Sequence, residues 1–196
     1  MKKILALLVT FFFIANSFSQ DTLKQSYVRK PALGVSFFFN DFVTAQRIRS
    51  SSLSYVIANK QKAKWKDMNH GIAVNYFKGL NNHLDLAATL AGSFVEYAVG
   101  SNNSSESKFL LEGDVSIDMK LLSEKYWLTP FASIGAGLSR YGSYYGAFIP
   151  AGLGLKLNLL DEAHVFYHSQ YRIPVTTNTS NYHFMHSIGI AGIIGK

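Results

Sequence analysis

The stretch Ala147-Phe-Ile-Pro-Ala-Gly-Leu-Gly-Leu-Lys-Leu-Asn-Leu159 shows the clearest alternation of apolar side chains in this chain. Apolar side chains occupy every second position from 147 to 157, whereas the positions between them include two glycines and Lys156. A period of two is typical of a β-strand, because successive side chains of a strand point to opposite faces of the sheet. The stretch is therefore predicted to be a strand with one apolar face.

Seven further segments alternate in the same way, so the sequence predicts an all-β fold of eight antiparallel strands. The predicted strands are residues 32–39, 71–77, 83–95, 109–120, 128–139, 147–159, 164–173 and 185–194. Short connectors at residues 78–82, 121–125 and 160–163 alternate with longer or more polar ones at residues 40–70, 100–108, 140–146 and 175–181. This asymmetry is typical of an up-and-down β-barrel that spans an outer membrane.

The composition excludes several other classes of protein. The chain has 196 residues, 48% hydrophobic and 16% charged, whereas an ordinary soluble domain has roughly 25% charged residues. This apolar content excludes a disordered chain, and the absence of cysteine excludes a disulfide scaffold. The longest apolar run, residues 4–15, is shorter than the stretch of about 20 residues that a membrane-spanning helix needs.

Residues 1–19 are predicted to be a cleaved secretory signal peptide, which leaves residues 20–196 as one barrel domain. Lys2 and Lys3 form the positive start, residues 4–15 form the apolar region, and the small Ser17 and Ser19 precede a cut before Gln20. The net charge of +7 does not indicate a nucleic-acid partner, because the excess lies in this leader and in residues 40–70.

Alternation alone does not say which face of each strand points into the barrel. The less apolar face holds mostly glycine, alanine, serine and threonine with a few charges of both signs, which suits the filled interior of a narrow barrel. The opposite face is nearly free of charge, as a lipid-facing surface must be. Either the inward charges form a paired network or some of them lie at strand ends in water. The candidates for the network are Asp85, Glu112, Asp114, Asp118, Lys120, Lys156 and Arg172.

Several stretches give the chain a resemblance to a known family. They are residues 128–137 (LTPFASIGAG), 149–156 (IPAGLGLK), 170–174 (QYRIP) and 187–196 (SIGIAGIIGK). In these the mature chain resembles the small eight-stranded outer-membrane β-barrels, such as the transmembrane domain of OmpA. The resemblance implies a monomer in the outer membrane of a Gram-negative cell, surrounded by lipid and lipopolysaccharide and inserted by the barrel assembly machinery. It also implies that both chain ends lie in the periplasm.

The connector at residues 40–70 is the candidate binding region. It combines an excess of basic residues with Phe42, Tyr55 and Trp65. The candidate anion-binding residues are Arg47, Arg49, Lys60, Lys62, Lys64 and Lys66. The four lysines alternate, so an extended ribbon is expected to present them along one edge. Such a loop could contact phosphates of lipopolysaccharide or an anionic surface polymer, or it could be an ordinary solvated loop.

The sequence predicts no cofactor, no metal site and no catalytic residue. The histidines lack the spacing of metal ligands. The two His-Ser pairs, at residues 168–169 and 186–187, are adjacent in sequence and therefore point to opposite faces. The prediction is a non-enzymatic outer-membrane barrel with a structural or adhesive role. Two alternatives stay open: a water-soluble lipocalin-like carrier of an apolar ligand, and a barrel enzyme that modifies lipid A.

Overall fold

The computed structural model describes residues 28–96, 107–159, 162–177 and 179–194. The predicted signal peptide and most of the predicted connector at residues 100–108 lie outside these ranges. Eight strands form the body of the molecule. They are β1 (Ala32–Asp41), β2 (Asn69–Gly79), β3 (Leu84–Val95), β4 (Lys108–Lys120), β5 (Leu128–Tyr141), β6 (Tyr144–Leu159), β7 (Ala163–Pro174) and β8 (His183–Ile193).

The strands close into an antiparallel up-and-down barrel, which confirms the predicted fold class. Each strand pairs with its neighbours in the chain, and β8 pairs with β1 to complete the circle. In that closing pair Phe37 lies opposite Ile188 and Phe39 lies opposite His186. Closure matters because it leaves no strand edge with unpaired backbone groups, which a bilayer does not tolerate.

The polarity of the barrel is as predicted, with apolar side chains outside and charges inside. Leu138 and Leu153 on the outer face are 70% and 69% exposed, whereas Arg172 and Lys156 in the lumen are 0% and 1% exposed. A water-soluble carrier needs the reverse arrangement, with an apolar interior and a polar surface. The lipocalin-like alternative is therefore wrong.

One predicted connector is shorter than the sequence suggested. Residues 140–146 were expected to form a longer loop, but β5 and β6 extend through them and leave only Gly142 and Ser143 between the strands. Gly142 adopts a φ of +58°, a left-handed conformation that glycine reaches without steric cost. A two-residue turn allows both strands to rise further than the pattern of apolar residues indicated.

The connector at residues 40–70 contains three short helical segments. These are α1 (Phe42–Ser50), α2 (Leu53–Ala58) and a 3-10 turn (Trp65–Asp67). Asp41 caps α1 by accepting a hydrogen bond from the backbone N–H of Thr44 at 2.7 Å, and Ser52 caps α2 in the same way. No helix of the described residues is both long and apolar enough to cross a bilayer. We call the end of the barrel that carries α1 and α2 the helix end, and the opposite end the turn end.

The predicted extended lysine ribbon is only partly present. Lys60, Lys62 and Lys64 are exposed and alternate with the half-buried Gln61 and Ala63. The 3-10 turn then interrupts the extended chain, so Lys66 does not continue the same edge.

Side chains fill the lumen. Phe38, Phe77, Phe131, Phe148 and Phe166 are all buried there. Glycines on facing strands make room for the rings. A Cβ atom on Gly154 would meet the ring of Phe131, and one on Gly137 would meet the ring of Phe148. This filling is what an eight-stranded barrel allows, because its interior is only wide enough for side chains.

Candidate functional site

The seven predicted lumen charges lie in two buried clusters. The turn-end cluster has Asp85 at its centre. Asp85 Oδ1 lies 2.6 Å from Lys120 Nζ, and its Oδ2 lies 3.0 Å from Lys156 Nζ. Lys156 also donates to Asp118 at 2.8 Å. These four residues come from three strands, with Asp118 and Lys120 both on β4. The cluster thus ties β3, β4 and β6 together across the lumen through charged hydrogen bonds.

Two residues that the sequence did not single out complete the turn-end cluster. Arg29, which precedes β1, contacts Asp85 Oδ2 at 3.2 Å and makes a paired contact with the carboxylate of Glu124 at 2.7 and 2.8 Å. Glu124 also accepts from Lys120 at 3.0 Å. Arg29 precedes the first predicted strand and Glu124 lies in a predicted connector, so the alternation of a strand gives no information about the direction of either side chain. The turn-end cluster is therefore Arg29, Asp85, Asp118, Lys120, Glu124 and Lys156.

The helix-end cluster surrounds a single guanidinium. Arg172 Nη1 lies 2.6 Å from Glu112 Oε2, and Arg172 Nη2 donates to Asp114 Oδ2 at 2.8 Å. His183 Nε2 lies 3.4 Å from the same Glu112 oxygen. His183 was not predicted as a member, although its inward position on β8 follows from the alternation. The helix-end cluster is therefore Glu112, Asp114, Arg172 and His183.

Aromatic rings cover the buried cations. Lys156 Nζ lies 4.7 Å from the ring centre of Phe77 and 4.6 Å from that of Phe131. The guanidinium carbon of Arg172 lies 4.8 Å from the ring centre of Phe148. Cation–π contacts of this kind gain strength when water is excluded. The aromatic filling and the charge clusters thus form one packed interior.

The predicted cationic loop residues divide into tethered arginines and exposed lysines. Arg47 donates to the backbone carbonyl of Gln61 at 2.8 Å, and the guanidinium of Arg49 stacks 3.9 Å from the ring centre of Tyr182. Lys60, Lys62, Lys64 and Lys66 are exposed, and no carboxylate of a described residue lies within ion-pair distance of them. The structure therefore leaves the four lysines available to an outside anion.

Trp65 fixes the loop against the outside of the barrel. Its ring packs edge-on against Phe39 with ring centres 5.1 Å apart, and Phe39 is on the outward face of β1. Trp65 itself is 69% exposed. Tryptophan at this position is typical of the aromatic girdle at a membrane–water interface. Lys64 and Lys66, on either side of Trp65, consequently lie at the rim of the barrel.

Other aromatic residues mark both ends of the barrel, with one exception. Tyr126 and Trp127 are exposed at the turn end, and Tyr145 is exposed at the helix end. Tyr141, near the end of β5, instead points inward and donates to the carbonyl of Val95 at 3.2 Å.

Neither His-Ser pair that is adjacent in sequence, at residues 168–169 and 186–187, brings its own histidine ring and serine hydroxyl together. His168 faces the lumen, where its Nε2 lies 2.7 Å from Ser133 Oγ, while His186 faces outward, with its Nδ1 2.9 Å from Ser169 Oγ. Each histidine thus contacts a serine on another strand, on opposite sides of the wall. Within the described ranges no group of three or more histidine, aspartate or glutamate side chains is arranged to hold a metal ion.

Several solved barrel structures are similar to this chain. Neisserial surface protein A superposes with a TM-score of 0.57 at 12% identity, over 85% of this chain and 99% of that one. The N-terminal barrel of Pseudomonas aeruginosa OprF gives 0.49 at 11% identity over 84% and 98%. The attachment protein Ail of Yersinia pestis gives 0.48 at 10% identity over 84% and 98%. No protein-family model and no curated protein sequence matches the chain.

Fold and polarity lead to the same conclusion. The likeness to Neisserial surface protein A extends over the whole of that barrel, and at 12% identity it concerns the fold. The polarity is a property of this chain itself: its apolar face is exposed and its charges are paired inside a closed wall. Lipid surroundings require that arrangement. The chain has the fold of the small eight-stranded outer-membrane β-barrels and lies in the outer membrane.

Proposed function

We propose that the protein is a non-catalytic surface-binding barrel whose loop at residues 40–70 contacts the phosphates of lipopolysaccharide. The packing of Trp65 on the outward face of β1 carries this proposal, because a lysine-rich segment held at that rim is within reach of lipid headgroups. A loop that stood clear of the membrane would meet soluble polymers first. A loop anchored at the rim meets the phosphates of neighbouring lipids.

Within the loop, the segment that bears the lysines is held in place by contacts to α1. The backbone N–H of Ala63 donates to Thr44 Oγ1 at 2.9 Å, and Arg47 holds the carbonyl of Gln61. Ala45 in α1 and Val56 in α2 are buried. Because the segment that bears the lysines is ordered before binding, less conformational entropy is lost when an anion binds.

The filled lumen supports a binding role over a transport role. Ion pairs and phenylalanine rings occupy the interior from the turn end to the helix end. Eight-stranded barrels of this width hold side chains in place of a water channel. The barrel thus acts as a rigid support that displays α1, α2 and the lysine segment at the cell surface.

The test replaces the four lysines together and measures lipopolysaccharide binding. Lys60, Lys62, Lys64 and Lys66 are changed to serine, and the refolded protein is titrated with lipopolysaccharide in detergent. We expect binding at low salt to weaken at least tenfold, because each basic residue near an anionic membrane surface contributes about 1 kcal/mol. The difference should shrink as salt screens the charges.

The matched control changes Lys78 and Lys125 to serine. Both are exposed, and both lie at the turn end, away from the proposed contact. The control should fold and bind lipopolysaccharide like the wild type. Equal affinities for all three proteins at low salt would show that the loop is only a solvated surface.

A further inference from the structure

The outer wall of the barrel has two different halves. On β3, β4, β5 and β6 the outward positions hold apolar side chains or glycine, with Arg140 and Tyr145 as exceptions at the helix end. On the other half, Ser169, His186 and His70 all face outward among apolar neighbours. Polar side chains on a lipid-facing surface cost free energy unless they find partners. Their concentration on one half of the wall therefore needs an explanation.

The strand register joins these residues into one row. Ser169 on β7 lies opposite His186 on β8, His186 lies opposite Phe39 on β1, and Phe39 lies opposite His70 on β2. We call Ser169, His186, Phe39 and His70 the lateral row. It spans about 14 Å, since adjacent strands lie about 4.8 Å apart. That width suits a headgroup of several sugar or phosphate units better than a single small anion.

The lateral row descends from the rim into the lipid-facing belt. His70 is the second residue of β2, at the helix end, whereas Ser169 lies five residues below the end of β7. Strands of such barrels are tilted by roughly 35–45°, so a row perpendicular to them changes depth in the membrane. Its upper part is at the headgroup level marked by Trp65, and its lower part reaches the region where acyl chains begin.

Hydrogen-bonding capacity is available along the row. The Ser169 contact at 2.9 Å occupies Nδ1 of His186, and an imidazole has a second nitrogen for another partner. The rings of Phe184 and His186 are nearly parallel, with centres 5.9 Å apart, which helps fix the imidazole orientation. His70 is exposed. Two imidazoles and one hydroxyl can therefore bond phosphate, hydroxyl or ester oxygens that approach from the membrane.

Positive charge lies directly beside this polar row. Trp65 packs on Phe39, the middle of the row, and the exposed Lys64 and Lys66 flank Trp65 in sequence. A molecule held here would meet ammonium groups and His70 at its outer end, aromatic rings in the middle, and His186 and Ser169 below. An anionic lipid has these features in the same order, with a phosphate outside and ester-linked chains inside.

We infer that the lateral row, together with Lys64 and Lys66, binds one phosphorylated glycolipid of the outer leaflet, the lipid A part of lipopolysaccharide. The inference rests on the proposed function and narrows it from phosphate contact by a loop to a site on the wall of the barrel. The site selects a membrane-embedded ligand, because half of its contacts lie below the headgroups. A soluble polyanion reaches the lysines and not the row.

The test distinguishes binding by the lateral row from binding by the lysines of the loop. A triple variant, His70→Leu, His186→Leu and Ser169→Ala, is placed in phosphatidylcholine nanodiscs and titrated with purified lipid A and, separately, with inorganic polyphosphate. We expect lipid A affinity to fall about tenfold or more through the loss of two or three hydrogen bonds, while polyphosphate affinity stays unchanged. The four-lysine variant should lose affinity for both probes. His83→Leu, an exposed histidine at the turn end, is the matched control and should bind both probes normally.

Each outcome distinguishes the two proposals. Unchanged lipid A affinity in a folded triple variant overturns the site on the wall, whatever the lysine variant does. A parallel loss of lipid A and polyphosphate in the triple variant also overturns it, because the row would then be a general anion site. If the lysine variant binds both probes like the wild type, the loop proposal fails, and Lys64 and Lys66 are removed from the inferred site.

Discussion

The two charge clusters in the lumen differ in how their buried positive and negative side chains are balanced. The turn-end cluster sets Arg29, Lys120 and Lys156 against Asp85, Asp118 and Glu124, so positive and negative side chains are equal in number. The helix-end cluster sets Glu112 and Asp114 against one permanent cation, Arg172, and among the described residues His183 is the only other basic group in contact. At the turn end Asp85 contacts three cations, so the loss of one leaves two. At the helix end both carboxylates depend on Arg172.

The helix-end cluster is also less well hydrogen-bonded than the turn-end cluster. At the helix end, Arg172 Nη1 lies 2.6 Å from Glu112 Oε2, yet neither atom has a well-directed hydrogen bond among the described residues. Among the six residues of the turn-end cluster only Asp118 Oδ1 lacks such a partner, and His164 Nε2, beside the cluster, lacks one as well. Charges that are close but poorly directed gain Coulomb energy without recovering all the hydrogen bonds that they made to water. The helix end should therefore be the more fragile of the two.

The largest effect is expected from Arg172→Leu. The change leaves Glu112 and Asp114 as buried carboxylates without a permanent cation, and removal of one partner of a buried ion pair costs about 3–5 kcal/mol. Urea unfolding of the barrel in detergent should show this loss, and the folded form should disappear at lower temperature in heat-modifiability gels.

A compensated variant tests the reason for that loss. Arg172→Leu combined with Glu112→Met and Asp114→Leu removes all three permanent charges of the helix-end cluster. Replacing a whole buried ion group by hydrophobic side chains of similar volume is often close to neutral in stability. We expect most of the lost stability to return. A triple variant as unstable as Arg172→Leu would show that packing on Phe148, and not charge, accounts for the effect.

A smaller loss is expected from Lys156→Met at the turn end. Asp118 loses its cation, but Asp85 keeps Lys120 and Arg29, and methionine fills the space between Phe77 and Phe131. We expect a destabilisation of about 3 kcal/mol, the low end of the cost of removing one partner of a buried ion pair, because one carboxylate is left without a cation instead of two. Denaturant unfolding beside Arg172→Leu checks the order. A loss larger than that of Arg172→Leu would contradict the redundancy of the turn end.

The barrel could be predicted because its signal is local and repeated. Alternation in each strand gives the strand and the direction of its side chains, and eight such strands with asymmetric connectors leave few other folds. The inward position of Glu112, Asp114 and Arg172 followed from the same pattern. Which charge meets which did not follow, because contacts across the lumen depend on the stagger of the closed sheet, and no single strand contains that information.

The parts that sequence reasoning missed depend on tertiary contacts. α1 and α2 are short, and isolated helices of that length are marginal. They form because Asp41 and Ser52 cap them and because Ala45 and Val56 find a buried surface at the helix end. Arg29 lies before the first strand, where nothing in the alternation shows that the chain turns back across the turn end.

The smallest effect is expected from Arg29→Gln. The Arg29 side chain is almost buried and contacts both Asp85 and Glu124, but Lys120 contacts the same two carboxylates at 2.6 and 3.0 Å. The segment around Arg29 also has backbone support, since its carbonyl accepts from the N–H of Gly79 at 3.0 Å. Because Lys120 can neutralise the same carboxylates and the backbone is held independently, we expect a loss of about 1 kcal/mol in the free energy of unfolding.

Unfolding of Arg29→Gln and Lys120→Met, singly and together, measures how far one cation replaces the other. If the two cations replace each other, the double variant should lose clearly more stability than the sum of the single losses. Strict additivity would mean that the two ends of the lumen do not differ in redundancy, and that the fragility of the helix end has another cause.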